Sequence, residues 1–245
     1  FHFALVCTIF AHRKKEIMKI GIIVAMQAEL ACVEGILTDR HETVGTGGAR
    51  FITGKAGNHE IILVQSGIGK VCAAVRTYEL ITRFAPDCVI NTGVAGGIDP
   101  STRVMDMVVA TEVVYHDVWC GDGNEYGQVQ GLPPRFKADR SLVEKIMTAN
   151  TGERVYGGLI CSGDQFITAR TELDAIKGRF PEGLAVDMES GAIAQTCYMC
   201  GTAFVSMRII SDTPGIEEHW KQYTNFWEAA PEQSFTILRR TIENL

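Results

Sequence analysis

The chain has 245 residues, 46% of them hydrophobic and 21% charged, with a formal net charge of −6. That composition belongs to a globule able to bury a sizeable core. Its lysines and arginines are scattered except at His12–Lys15, so no basic stripe exists to neutralise phosphates and a nucleic-acid partner is disfavoured.

The chain opens on "FHFALVCTIFA" followed by the basic "HRKKE". The apolar run is too short to span a bilayer, and a secretory leader carries its charges before the apolar run rather than after it. Met18 stands directly before a clean strand pattern, so 1–17 is expected to be an extension outside the fold and 18–245 the folded domain. No membrane association is expected.

Beyond Met18, apolar β-type runs alternate with helical patterns, without repeats or linkers. Strands are expected over 19–26, 51–56, 60–66, 87–92, 104–114, 154–161, 183–187 and 202–209. Helices are expected over 28–37, 69–84, 139–150, 171–179, 189–200 and 231–244. "GIIVAM", "IILVQ", "CVINT" and "AFVSMRII" are almost continuously apolar, as strands buried on both faces must be. Strands alternating with helices imply an α/β fold around a parallel or mixed sheet. The Gly- and Pro-containing stretch 115–137 reads as a long loop, and loops of that length are usually functional or at an interface. The eight cysteines sit mostly in apolar runs, the pattern of reduced, buried thiols in a cytoplasmic protein. Cys197 and Cys200 form a C-x-x-C inside a helical pattern, poor ground for a redox or zinc site.

Ligands of such folds bind beyond the carboxyl ends of the strands. There the chain places "MQAE", "SGIGK", "TGVAGG", "SGDQF", "DMES" and "RIISD", nearly all containing glycine, serine or an acid. "SGIGKV" lacks the third glycine of a dinucleotide fingerprint, and no phosphate-binding G-x-x-x-x-G-K-[ST] occurs. Glu29 fits either a first-turn acid complementing a helix dipole or a chemical role. Asp212 fits either a turn cap, with Ser211 competing for that place, or a chemical role. Arg208 lies in an otherwise apolar strand and needs an anionic partner, for which Glu29 and Glu189 are the candidates. In "AVDMES" the strand pattern gives way to a helical one near 189. Glu189 is therefore read as a ligand-binding acid and Asp187 as its supporting neighbour, paired with backbone amides or a nearby base.

Taken in order and spacing, "KIGIIVAMQAE", "SGIGKV", "NTGVAGG", "YHD", "SGDQF", "AVDMES" and "RIISD" resemble the bacterial 5′-methylthioadenosine/S-adenosylhomocysteine nucleosidases, over about 18–244. These share a superfamily with the purine nucleoside and uridine phosphorylases. The resemblance implies one α/β domain of the three-layer nucleoside phosphorylase-like kind, with a central twisted mixed sheet flanked by helices. It further implies a cytoplasmic homodimer, a small nucleoside and water as substrates, and no metal or cofactor.

Residue by residue, it implies that Glu29 deprotonates the attacking water, Asp212 protonates the departing adenine and Arg208 helps to hold the water. Glu189 would bind the ribose hydroxyls and Met188 would lie against the ribose. Phe166 would stack on adenine, with the Ile167 backbone reading its edge. Ser211 would support Asp212, and Met26, Ile68 and Val94 would line the pocket. Val94 stands where many relatives have serine, which leaves breadth toward 6-amino-6-deoxyfutalosine open. Trp119 and Tyr126 are candidates to reach a neighbouring subunit's pocket, and Tyr223 or Phe226 to close this one. The chemistry suits these residue types, because nucleoside cleavage wants a carboxylate on the water side and an acid on the base side. To stay protonated near neutrality, Asp212 would have to titrate about three pH units above a free aspartate. A phosphorylase and a non-catalytic adenosine sensor are the competing readings. A carboxylate beside the nucleophile argues against the first, and a water-activating acid against the second.

Overall fold

The computed structural model describes residues 17–229 and 231–245. The extension expected at 1–17 lies outside the described residues but for its last one.

The strands are β1 (Lys19–Val24), β2 (Thr38–Val44), β3 (Arg50–Ala56), β4 (His59–Gln65), β5 (Cys88–Gly97), β6 (Met107–Tyr115), β7 (Phe136–Lys137), β8 (Val155–Ser162), β9 (Gly183–Asp187) and β10 (Ala203–Asp212). The helices are α1 (Gln27–Glu34), α2 (Lys70–Phe84), α3 (Arg140–Ala149), α4 (Arg170–Arg179), α5 (Ser190–Cys200), α6 (His219–Ala229) and α7 (Pro231–Asn244). Together they form one mixed sheet in the order β10-β6-β8-β9-β5-β1-β4-β3-β2. The sheet curls far enough that β10 also pairs with β5, in parallel, so the long β5 carries β1, β9 and β10 as neighbours.

The continuous apolar runs come from burial on both faces. In β1, Ile20, Ile22 and Val24 pack into one core with α1, α3, α6 and α7, while Ile23 packs into the other with α2 and α5. Each fully buried aliphatic side chain contributes about 1.5–3 kcal/mol. Gly21 has no side chain because Leu80 of α2 lies directly on the strand there. A third cluster joins α4 to β8 and β9 through Leu173, Ile176 and Val186. Helices on both faces of one sheet make the expected three layers. No described helix is long and apolar enough to cross a membrane.

Several boundaries differ from expectation. Strand β2, "TDRHETV", is exposed at every residue and pairs only with β3 at the sheet edge, so it has no apolar periodicity to announce it. The two-residue β7 pairs with β6 at the end of the 115–137 loop. β5 runs through the glycines to Gly97, where a turn after 92 was expected, and β10 runs on to Asp212. α1 ends at Glu34 rather than 37, and the strand expected from 104 starts at Met107. α6 was not foreseen. The seven described cysteines, Cys197 and Cys200 among them, are free thiols.

Candidate active site

The strand ends converge on one cleft. The eleven residues expected to act on or bind the substrate line it: Met26, Glu29, Ile68, Val94, Phe166, Ile167, Met188, Glu189, Arg208, Ser211 and Asp212.

Glu29 sits in the first turn of α1, as its helix-dipole reading expects. Its Oε2 accepts the amides of Ala25 and Met26, each at 2.8 Å, which is helix capping. Its Oε1 crosses to β5 and accepts the amide of Val94 at 3.0 Å. Gly93 makes that approach possible. Its φ is +146°, and a Cβ there would lie 2.8 Å from both the Glu29 carboxyl carbon and Arg208 Nη1. Burial raises the Glu29 pKa, while Arg208 and the three amides oppose the rise by favouring the ionised form.

Asp212, at the end of β10, is 2% exposed and has a different environment. Its Oδ1 accepts the Ser211 hydroxyl, at 2.7 Å, its one hydrogen bond among the described residues. Burial raises its pKa, and the Ser211 hydroxyl and His219 oppose this only in part. Among the described residues, two buried carboxyls in one cleft are thus held differently, one by three amides and the other by a hydroxyl.

Glu189 lies at the β9–α5 junction, as the sequence implied. Its Oε1 accepts the Gly69 amide at the start of α2, at 3.0 Å, and its Oε2 lies 3.3 Å from Arg208 Nη2. Burial is the largest influence on its pKa and raises it, Arg208 opposing and Asp187 adding to the rise.

Arg208 pairs with Glu189, one of its two expected partners, and more closely with Asp187, which was not one of the two. Its shortest ion pair, at 2.8 Å, is with Asp187 and not with Glu29 or Glu189. Asp187 is indeed the supporting acid: it accepts the Ser190 amide at 3.1 Å and the Ser190 hydroxyl. Asn91 and Ser206 join this buried set through the Ser190 hydroxyl, and sequence reasoning passed over all three. Their signal was present, since a polar residue inside "CVINT" or "AFVSMRII" must find a buried partner.

The remaining wall is aromatic. Phe166 packs against Trp220 and edge-on against Tyr223, both from α6, with ring centroids 5.2 and 5.9 Å apart. Tyr223 lines the cleft and its hydroxyl donates to the Met26 sulfur at 3.6 Å. Phe226, the other candidate for closing the pocket, is instead in the core, 3% exposed. Trp119 and Tyr126 stack on each other away from this cleft. Gln165 and Pro214 also line the cleft and were not foreseen.

Comparison with known proteins is consistent with this geometry. The family model of the phosphorylase superfamily matches residues 19–243. A 5′-methylthioadenosine/S-adenosylhomocysteine nucleosidase of Geobacillus thermodenitrificans is 45% identical over 225 residues, covering 90% of this chain and 94% of that protein. The crystal structure of an S-adenosylhomocysteine nucleosidase from Streptococcus pyogenes, in complex with 5-methylthiotubericidin, superposes with a TM-score of 0.89 at 36% identity, covering 95% of this chain and 99% of that one. A 5′-methylthioadenosine/S-adenosylhomocysteine nucleosidase from Streptococcus pneumoniae, with the transition-state inhibitor MT-ImmA, gives 0.88 at 36% identity, covering 93% and 99%.

Proposed function

The chain belongs to the phosphorylase superfamily and, within it, to the 5′-methylthioadenosine/S-adenosylhomocysteine nucleosidases, and from that premise we infer how its cleft performs the reaction. The reaction is hydrolysis of an N-glycosidic bond, releasing adenine and the thioribose. Adenine lies against Phe166 with its edge on the Ile167 backbone, and the ribose lies on Met188 with its hydroxyls on Glu189. As the bond from the anomeric carbon to the purine nitrogen lengthens, positive charge builds on the sugar and negative charge on the base. Asp212 gives its proton to the imidazole ring of the base, which leaves as neutral adenine. Water between Glu29 and Arg208 bonds to the anomeric carbon, and its proton passes to Glu29. The sugar leaves with the new hydroxyl, and proton exchange with solvent restores both acids.

The observation that carries this reading is the unequal treatment of Glu29 and Asp212. Opposed protonation states require different environments, and three amide donors against one hydroxyl is such a difference. A phosphate nucleophile would meet the Glu29 carboxylate, and Arg208, the guanidinium at that end, is already engaged by Asp187 and Glu189. Water suits the site and phosphate does not. The test is adenine release by Glu29→Gln and Asp212→Asn. Each should lose on the order of 10²–10⁴ in kcat, the usual worth of a general acid or base, with the melting temperature kept. Unchanged turnover in either would remove that residue from its role.

The working protein is read as a cytoplasmic homodimer. Ile68 and, on α2, Val71, Val75 and Tyr78 leave an exposed apolar stripe at helical spacing, beside Tyr198 and Met199 of α5. Ile68 also lines the cleft, so a second copy on this stripe would border the site. Free thiols at all seven described cysteines support the reducing compartment.

A further inference from the structure

Arg208 heads the side chains that the structure buries completely. A guanidinium carries five N–H donors and no acceptor, and when buried it must be met by anions. Its donors are served unequally. Nε is ion-paired with Asp187 Oδ2 at 2.8 Å and donates to the Ser190 hydroxyl at 3.4 Å, whereas Nη2 reaches Glu189 Oε2 at 3.3 Å and Nη1 reaches the Val94 carbonyl at 3.4 Å. The guanidinium is gripped at its Nε end and only loosely engaged at the end facing Glu29 across Gly93.

The grip is itself supported from three elements. Asp187 at the end of β9 accepts both the amide and the hydroxyl of Ser190, the first residue of α5. The Ser190 hydroxyl lies 2.8 Å from Ser206 Oγ of β10 and accepts Asn91 Nδ2 of β5 at 2.8 Å. Ser190 and Ser206 are fully buried and Asn91 is 1% exposed, so bulk water does not compete for these bonds. The two other acids near Arg208 have anchors of their own. Glu29 holds three amides, and Glu189 holds the Gly69 amide at 3.0 Å, closer than its contact with Arg208.

We propose that Asp187, with Ser190 as its support, is a positioning residue for the hydrolysis: it fixes the Arg208 guanidinium so that the Nη groups face the place beside Glu29 where water attacks. The inference rests on the water-side role of Arg208 given above. Because Glu29 and Glu189 are anchored independently, losing Asp187 falls on Arg208, and so on the chemical step rather than on substrate binding.

The test measures kcat and KM for methylthioadenosine, with thermal melts, in Arg208→Met, Asp187→Asn, their double variant, Asp187→Glu and Ser190→Ala. Arg208→Met should lower kcat on the order of 100-fold, as loss of a transition-state donor does. Asp187→Asn should lower kcat by about tenfold or more with KM within about threefold, the pattern of an interaction that matters in the transition state. In the Arg208→Met background the same change should cost less than about threefold, because residues acting as one unit are not additive. Asp187→Glu, which keeps the charge, should recover part of the loss. Losses that multiply in the double variant, or an Asp187→Asn whose KM rises at unchanged kcat, overturn the inference and leave the proposed reaction standing. Wild-type kcat in Arg208→Met removes the premise, and the inference with it. Should Asp187→Asn not fold, Ser190→Ala decides: a fall in kcat of about threefold or more at constant KM supports the grip, and a lowered melting temperature with unchanged kcat overturns it.

Discussion

The Oε1 atom of Glu29 accepts the amide of Val94 at 3.0 Å, across 65 residues of sequence. This bond ties the first helix to the strand that pairs with β1, β9 and β10, and it sets where the Glu29 carboxylate points. The space for it exists only because Gly93 has no side chain and adopts a φ of +146°.

Gly93→Ala therefore tests the position of Glu29 without touching its chemistry. A methyl group there would overlap the Glu29 carboxylate and lie 2.8 Å from Arg208 Nη1. Both must move, and the backbone is strained by about 1–3 kcal/mol. The expected outcome is a loss of about 100-fold in kcat, since displacements near 1 Å have that cost, with a lowered melting temperature. A variant with near-native kcat would mean that the placement of Glu29 is not critical.

Ser211→Ala tests the acid side through pH. The Ser211 hydroxyl donates to Asp212 and so favours the ionised carboxylate. Removing it leaves burial less opposed and raises the Asp212 pKa further. Catalysis by Asp212 needs its proton, so activity falls as pH rises through that pKa. The alkaline limb of the kcat/KM profile should consequently move to higher pH in Ser211→Ala. A move to lower pH, or none, would contradict the assignment of Asp212 as the acid.

Much of this site was legible because strand-end residues are forced together by the sheet. The eleven expected residues line one cleft, and Asp187 makes the supporting contacts that "AVDMES" implied. What escaped the sequence has three physical causes. An exposed edge strand such as Thr38–Val44 buries nothing and leaves no periodicity. The choice of Asp187 as the tight partner of Arg208 depends on register: β10 pairs with β5 along most of its length while β9 meets β5 only at Gly96 and Gly97. No local pattern encodes that crossing. α6 was missed because the turn residues of "TPGIEE" precede it, and its Tyr223 faces the cleft while Trp220 is exposed, neither packing into the core.

The apolar stripe of α2 gives a prediction about assembly. Val75→Asp places a charge in the middle of Ile68, Val71 and Tyr78, where the native side chain is 54% exposed in the single chain. The fold should tolerate it, since it touches no core. Sedimentation should show the native protein as a dimer and Val75→Asp as a monomer, with weaker activity because Ile68 at the cleft loses its cover. A native monomer, or a dimer indifferent to this change, would remove the proposed interface.

The most direct measurement of the central claim is the identity of the sugar released from methylthioadenosine, with and without inorganic phosphate. The arrangement of Glu29, Arg208 and Asp212 predicts adenine and free methylthioribose in phosphate-free buffer, at a rate that added phosphate does not raise. A strict phosphate requirement with a sugar 1-phosphate as product would contradict it.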